Sequence, residues 1–219
     1  MEITVNGVTL SYTVHGSGDP VIALHGNGED HHIFDRLVPH LATAFRVYAV
    51  DSRNHGRSQR VADVSYDAMT TDIHAFITSL DLAPVHILGF SDGAIIGLLL
   101  AIRQPDVVNR LALLGVNLSP DDFTPATRDW IRREYEKTRD PRVGLMLEEP
   151  HIPLDAVRRV AAPTLLVAGE HDLFQPEFFP RLRDAMPNAR LRIMAGHTHD
   201  SYIIRQDCLA PDLLDFFGA

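Results

Sequence analysis

Residues 85–103 constrain the fold of this chain more than any other stretch. An apolar run at residues 85–88 leads through the sequence GFSDG at residues 89–93 into residues 94–102, which are apolar on every face of a helix. A strand without polar alternation and a helix without a polar face both have to be buried, as in a parallel sheet covered by helices. The stretch therefore predicts a strand, a tight turn and a helix inside a layered α/β domain.

The alternation of strands and helices continues along most of the chain. Residues 2–14 alternate apolar and polar side chains around Asn6-Gly7, a dipeptide typical of two-residue hairpins. Apolar runs predict further strands at residues 20–24, 45–50, 110–114, 164–168 and 189–194. Helical spacing predicts helices at residues 33–41, 66–80 and 202–217, the last kinked or restarted at Pro211. The expected fold class is α/β, with a mostly parallel twisted sheet, an antiparallel N-terminal hairpin and helices on both faces.

Residues 119–160 interrupt this alternation, because they contain helical segments but no convincing strand. Thr124-Pro125 has the pattern of a helix start, with a capping side chain before proline. We interpret residues 1–219 as a single domain in which residues 119–160 form a small helical cap. Cap residues that are candidates for lining a substrate pocket, although helical aromatic and Met side chains often serve only packing, are Phe123, Trp130, Tyr135, Leu145 and Met146.

Composition excludes several functions. Twenty basic residues against 29 acidic ones give a net charge of −9, which argues against binding to nucleic acid. No apolar run approaches the roughly 20 residues that span a bilayer, and no secretory signal is visible, so we expect a cytoplasmic protein without a membrane partner. The single Cys208 excludes an intrachain disulfide and is interpreted as a packing residue.

The GFSDG sequence has the spacing of a nucleophile turn. A serine on a strained turn between strand and helix protrudes, and flanking glycines let neighbouring backbone pass close by. Ser91 would lie at the helix N-terminus, where the Asp92 amide can face a developing oxyanion. A glycine-rich turn with a capping serine is the alternative, and the buried strand and helix on either side favour the nucleophile.

With this turn and several other motifs, nearly the whole sequence resembles the α/β-hydrolase family. The matching segments are His25-Gly26, residues 51–58, the turn at Ser91, residues 169–172 and the C-terminal His segment. The resemblance is greatest to small bacterial serine esterases and valacyclovir-hydrolase-like members, and it implies a triad in the order Ser, acid, His. Asn54 stands where many members have Gly, although Asn also tolerates a left-handed backbone.

The triad order points to Asp172 and His199 as the partners of Ser91. Asp172 closely follows an apolar strand, where a carboxylate can orient an imidazole, and Glu170 is the less favoured acid. Alignment with similar proteins favours His199 as the base, whereas a bare Gly-His match would select His197. Paired histidines at this spacing do not resemble a zinc site, so we expect no metal and no cofactor.

The resemblance also assigns the second oxyanion donor, the backbone amide of Asn27. A plain turn is the alternative for this loop, and His25 is interpreted as structural. Residues 51–58 are interpreted as a scaffold turn, with binding of an anionic substrate by Arg53 and Arg57 as the less favoured alternative.

The leading functional hypothesis is a serine hydrolase that cleaves small carboxylic esters through an acyl-enzyme. The fold also hosts hydrolysis of thioesters, lactones, amino-acid esters and C–C bonds, and slow-turnover ligand binding is a further alternative. An amino-acid ester would need an acidic group for its amine, such as Asp92 or Asp122. The small cap predicts an open site that favours short or exposed esters, in a monomer or homodimer.

Overall fold

The computed structural model describes residues 1–219, in which eight strands and eight α-helices alternate. The strands are β1 Glu2–Val5, β2 Val8–His15, β3 Pro20–Leu24, β4 Arg46–Val50, β5 Val85–Phe90, β6 Val108–Leu114, β7 Thr164–His171 and β8 Ala189–Thr198. The helices are α1 Val38–Leu41, α2 Tyr66–Ser79, α3 Asp92–Arg103, α4 Pro125–Thr138, α5 Pro141–Glu148, α6 Leu154–Val157, α7 Phe178–Ala185 and α8 Ala210–Phe217. Short 3-10 turns occupy His31–Phe34, Pro105–Val107 and Pro120–Asp122.

All eight strands form one sheet in the order β1-β2-β4-β3-β5-β6-β7-β8. The pairs β1–β2 and β2–β4 are antiparallel, and every other pair is parallel. The first hairpin turns at Asn6 and Gly7, whose φ angles of 50° and 74° suit a two-residue turn of the kind the sequence predicts. The predicted fold class is therefore confirmed.

Two apolar cores lie on opposite faces of the sheet. Helices α2, α3 and α7 cover the larger core, and α1 and α8 cover the smaller one. Because both faces are covered, all six residues of β5 are buried, which explains why its sequence lacks polar alternation. The carboxyl ends of the parallel strands share one edge of this sheet, and the loops that follow them supply the candidate site.

Two predicted helices are wrong in extent. Residues 33–41 form a 3-10 turn and then the four-residue helix α1, which has Pro39 in its first turn. The C-terminal helix begins only at Ala210, because Pro211 has no N–H to donate and is accommodated in a first turn. Residues 201–205 form turns, and Arg205 has a left-handed φ of 51°.

The two last strands are longer than predicted. Strand β7 continues to His171 and β8 to Thr198, and these two residues pair with each other beyond a shift of register. Asp172 and His199 therefore come directly after paired strand ends, which brings them side by side.

The stretch 119–160 contains no strand of the sheet and carries α4, α5 and α6. Thr124 caps α4 by accepting the Thr127 amide at 3.2 Å, ahead of Pro125, as the sequence predicts. Helix α6 contacts α3, so α4 and α5 are the helices that reach the candidate site. No helix in the molecule has the length and apolar character needed to cross a membrane.

Candidate active site

Ser91 occupies a strained position between β5 and α3. Its φ of 51° and ψ of −115° lie in a region that non-glycine residues rarely adopt. Gly93 makes the turn possible, because a Cβ there would overlap the carbonyl oxygen of Leu24. The Ser91 amide donates to the Leu114 carbonyl at 2.8 Å, which ties the turn to β6. The sequence of the turn therefore holds the serine side chain at the edge of the sheet.

His199 and Asp172 form a buried pair. His199 Nδ1 lies 2.7 Å from Asp172 Oδ1, and the two side chains are 11% and 5% exposed. Asp172 also accepts the amides of Gly169 at 2.9 Å and Leu173 at 2.7 Å, so both carboxylate oxygens are fixed. The His199 ring packs against Phe90, with ring centroids 5.0 Å apart. These contacts hold the imidazole in one orientation, in which Nδ1 is engaged by Asp172 and Nε2 remains available to other groups.

The structure places the alternative histidine elsewhere. His197 Nδ1 contacts Ser201 Oγ at 3.0 Å, and its ring lies edge-on to Tyr202. His197 does not line the cavity that Ser91 and His199 share. The alternative acid, Glu170, accepts the Gly196 amide at 2.7 Å. Ser91 Oγ makes no hydrogen bond to His199, and catalytic hydrogen bonds of this kind are often long until the substrate complex forms.

The loop after β3 passes close to the serine turn. A Cβ built on Gly26 would lie 3.1 Å from Ser91 Cβ and 2.8 Å from Glu29 Oε2, so only glycine fits there without displacement. The backbone amides of Asn27 and Asp92 donate no hydrogen bond within the protein. Unpaired amides beside a nucleophile, one of them at a helix N-terminus, can bind negative charge.

These residues surround a cavity of about 550 Å³. Its lining includes Ser91, His199 and Asn27 together with the predicted pocket residues Phe123, Trp130 and Met146. Trp130 is 53% exposed, so the mouth of the cavity is open on the cap side. Two further cap candidates, Tyr135 and Leu145, do not line the cavity.

Several lining residues escape sequence reasoning, namely Glu29, Phe90, Glu134, Val143, His171, Leu173, Thr198 and Asp200. Glu29 is the most unusual of them, because Oε2 accepts only the Gly26 amide, at 3.0 Å. Burial raises the pKa of Glu29 to about 7, although the Gly26 amide and nearby His199 oppose the shift. Its place two positions after Asn27 is the one signal in the sequence that could have identified it.

The two carboxylates considered for a substrate amine are occupied within the protein. Asp92 lies outside the cavity lining, and hydrogen bonds from Tyr66 and Asn27 engage its two oxygens. Burial raises the pKa of Asp92 to about 6 against the lowering effect of these bonds. Asp122 accepts two backbone amides and pairs with Arg181 at 3.0 Å.

Residues 51–58 form a turn that supports the site from within the protein. His25 Nε2 accepts the Ser52 amide at 3.0 Å, which joins this turn to the loop after β3. Arg53 is buried and pairs with Asp72 at 2.7 Å, so its charge is compensated within the protein. Asn54 has the left-handed φ of 66° that its place in the motif requires.

One group of residues outside the cavity has the composition of a cation ligand set. Asp30, His31 and His32 each offer one atom, and these atoms lie within 4.8 Å of one another. Each of the three already has a structural contact, because Asp30 caps the His31–Phe34 turn and the two Nδ1 atoms contact Asp51 and Asp35.

Comparison with known proteins establishes the family. The model of the alpha/beta hydrolase fold matches residues 19–140, more than half of the chain. This chain belongs to the α/β-hydrolase family and is a hydrolase of that family, as its sequence motifs predict.

Individual relatives match this chain over most of their own length. The chain is 25% identical to the BpoC protein of Mycobacterium tuberculosis, which carries the name of a non-heme bromoperoxidase, over 97% of this chain and 98% of the relative. It is 27% identical to the human serine hydrolase BPHL over 92% of this chain and 80% of the relative. The structure of a meta-cleavage product hydrolase from Pseudomonas fluorescens IP01 superposes with a TM-score of 0.85 at 21% identity, over 99% of this chain and 97% of that one. At this identity, the likeness to that structure shows the fold alone.

Proposed function

We propose that this hydrolase cleaves small carboxylic esters with Ser91 as nucleophile, His199 as base and Asp172 as the group that orients the base. One observation carries the proposal. A serine on a strained strand–helix turn shares an open cavity with an imidazole whose Nδ1 is held by a buried carboxylate. Stable packing does not require a strained serine, an imidazole and a buried carboxylate to occur together. Acyl transfer by a serine nucleophile of this kind uses all three.

The chemistry follows from the positions of the groups. His199 Nε2 takes the hydroxyl proton as Ser91 Oγ bonds to the ester carbonyl carbon. The amides of Asn27 and Asp92 stabilise the oxyanion, whose collapse breaks the bond to the alcohol and returns the proton from His199 to that alcohol. Water then attacks the acyl-enzyme by the same route and releases the carboxylic acid.

The shape of the cavity supports a small substrate. Its volume of about 550 Å³ lies within the ordinary range for small-molecule sites. Apolar side chains, including Phe123 and Met146, give it an acyl-binding wall, and the exposed Trp130 leaves the mouth open. We therefore expect short acyl chains to be hydrolysed faster than bulky ones.

Labelling by a fluorophosphonate, together with turnover of p-nitrophenyl esters of graded acyl length, tests the proposal. Wild type should be labelled on Ser91 and should hydrolyse short esters, whereas Ser91→Ala should lose labelling and at least about a thousandfold in kcat/KM. Ser17→Ala, at an exposed serine between β2 and β3, is the matched control and should behave as wild type. Equal labelling of the two variants, or no ester turnover by wild type, would contradict the proposal. Lactone and thioester substrates in the same assay measure how far the activity extends to other acyl compounds.

A further inference from the structure

A series of buried and partly buried hydrogen bonds joins the nucleophile helix to the loop that carries the Asn27 amide. Tyr66 Oη donates to Asp92 Oδ1 at 2.7 Å, and Asn27 Nδ2 donates to Asp92 Oδ2 at 2.9 Å. Asn27 Nδ2 also donates to the carbonyl oxygen of Arg142 at 2.8 Å. The four residues come from α2, α3, the loop after β3 and the cap helix α5, so this network fastens four parts of the molecule together at Asn27.

The Asp92 carboxylate has no access to a substrate. Asp92 is 4% exposed and lies outside the cavity lining, with both oxygens engaged inside the protein. A carboxylate desolvated to this degree costs folding free energy unless its contacts compensate it. Both oxygens act as acceptors, and although burial raises the pKa of Asp92 to about 6, the hydrogen bonds from Tyr66 and Asn27 favour its ionised form.

The loop beside Asp92 is rich in glycine, which gives its backbone more conformational freedom than other residues have. Asn27 lies between Gly26 and Gly28, and Gly28 has a φ of 73° that few other residues adopt. Hydrogen bonds hold Gly26 on one side of Asn27, whereas the backbone N–H of Asn27 itself has no partner within the protein. The Asn27 side chain is the part of this loop that Asp92 and Arg142 hold.

We propose that Asp92 is a positioning residue for the ester hydrolysis, which holds the Asn27 backbone N–H toward the oxyanion by binding the Asn27 side chain. This inference rests on the proposed function and adds to it how one oxyanion donor is kept in place. Donors of this kind stabilise a transition state because they are oriented before the reaction begins. A displacement of about 1 Å at such a site can cost on the order of 100-fold in rate.

A double-mutant cycle tests this proposal. Asn27→Ala keeps the backbone amide but removes the contact to Asp92, and Asp92→Asn replaces one of the two acceptor oxygens with a donor. Each should lower kcat by about 10- to 100-fold and change KM less than about threefold, because the oxyanion forms only in the transition state. The double variant should lose no more than the larger single loss, because both substitutions remove the same positioning.

A pair of buried tyrosines supplies the matched control. Tyr66→Phe removes the second donor to Asp92 and should lower kcat by about three- to tenfold. Tyr202→Phe removes an equally buried hydroxyl that has no hydrogen-bond partner, and it should leave kcat within about twofold. Equal effects of the two substitutions would overturn the proposal.

A second measurement separates positioning from general stability. A trifluoromethyl ketone forms a tetrahedral adduct with a serine nucleophile, so its affinity should fall in proportion to kcat in Asn27→Ala. Unchanged ketone affinity, unchanged kcat in Asn27→Ala, or multiplied losses in the double variant would each overturn the positioning role. Failure of the proposed function has a different signature, because wild type itself would then show neither labelling at Ser91 nor ester turnover. If Asp92→Asn does not fold, Asn27→Ala and Asn27→Gln replace the cycle, since the longer amide should recover part of the lost kcat.

Discussion

Two pairs of histidine and aspartate in this molecule are almost the same in geometry and different in surroundings. His199 Nδ1 lies 2.7 Å from Asp172 Oδ1, and His31 Nδ1 lies 2.7 Å from Asp51 Oδ1. In both pairs the aspartate directly follows a parallel strand and accepts two backbone amides besides the imidazole. Such a pair therefore occurs twice in this molecule at the end of a buried strand, and by itself it does not define a catalytic site.

The difference lies in what the other side of each imidazole meets. His199 borders the cavity that contains Ser91 and unpaired backbone amides. The His31 ring packs against that of His32 at a tilt of 33°, with ring centroids 4.2 Å apart, and His31 lines a separate depression of about 290 Å³ that contains no serine. A catalytic role for the first pair thus depends on the strained turn at Ser91, and a structural role suffices for the second.

The largest expected contrast comes from replacing each histidine. His199→Gln should lower kcat/KM for a short p-nitrophenyl ester by about 10³- to 10⁴-fold, because it removes the imidazole that the proposed mechanism uses to accept the Ser91 proton. His31→Gln should leave kcat/KM within about threefold and instead lower the thermal midpoint, since it loses a buried contact. Steady-state kinetics and thermal unfolding of both variants measure whether His199→Gln loses activity while His31→Gln loses stability. Similar activity losses in the two variants would remove the proposed distinction between the pairs.

The next largest effect concerns the stability that Asp51 contributes. Although burial alone would raise the pKa of Asp51, hydrogen bonds from Arg57 and His31 hold it below its ordinary value of 3.8. Asp51→Asn should therefore lower the free energy of unfolding by about 1.5–3 kcal/mol at pH 7. The lowered pKa of Asp51 stabilises the fold above about pH 4, and this stabilisation is lost as pH falls through the pKa of the folded protein. The unfolding free energies of wild type and variant should therefore converge in acid.

Denaturant unfolding at several pH values measures this difference. Asp35→Asn is the control, because Asp35 contacts His32 at 3.1 Å on the surface, where such pairs contribute little. A constant difference between wild type and Asp51→Asn down to pH 3 would show that the charge of Asp51 is not the cause.

Local sequence predicts the parts of the site that depend on a single turn. The strand before Ser91, the glycines beside it and the helix after it are consecutive in the chain, so their sequence pattern determines the geometry directly. The order of Asp172 and His199 is predicted from the resemblance to the family, because the strand predicted at residues 189–194 ends too early to place His199 by itself.

Contacts between distant segments are what sequence reasoning misses. The Asn27 side chain meets Asp92 and Arg142, which lie 65 and 115 residues away along the chain. Nothing in the local pattern around any of the three indicates these partners. The helix predicted at residues 202–217 is absent before Ala210 for a related reason, since the competition between helix and turn there depends on tertiary packing as well as on spacing, whereas the expected restart at Pro211 is confirmed.

Glu29 extends the comparison to a carboxylate with few partners. Asp172 and Asp51 each accept three hydrogen bonds, whereas Glu29 accepts one, and burial raises its pKa from 4.5 to about 7. A raised pKa favours the folded state below pH 4.5, and this contribution is lost as pH rises through 7. Glu29→Gln does not ionise, so it should gain about 1–2 kcal/mol on wild type between pH 4.5 and 8, after allowance for partial solvent screening.

The unfolding free energy of wild type and Glu29→Gln, followed across that pH range, checks the prediction. Glu170→Gln at an exposed carboxylate is the control and should run parallel to wild type. A difference that stays constant from pH 4.5 to 8 would mean that the Glu29 carboxyl titrates in the folded protein as it does in the unfolded chain.

The smallest expected effect decides between the two histidines at the end of the last strand, His197 within it and His199 directly after it. His197 contacts Ser201 and Tyr202 outside the cavity, so His197→Ala should keep kcat/KM within about twofold of wild type. Because His197 and His199 are only two positions apart, the His197 substitution controls for general disturbance of the strand end in the His199 variant. A loss of 100-fold or more in His197→Ala, with activity retained in His199→Gln, would transfer the role of base to His197. It would also show that the pair of His199 and Asp172, despite its short contact, lies beside the serine without taking part in the reaction.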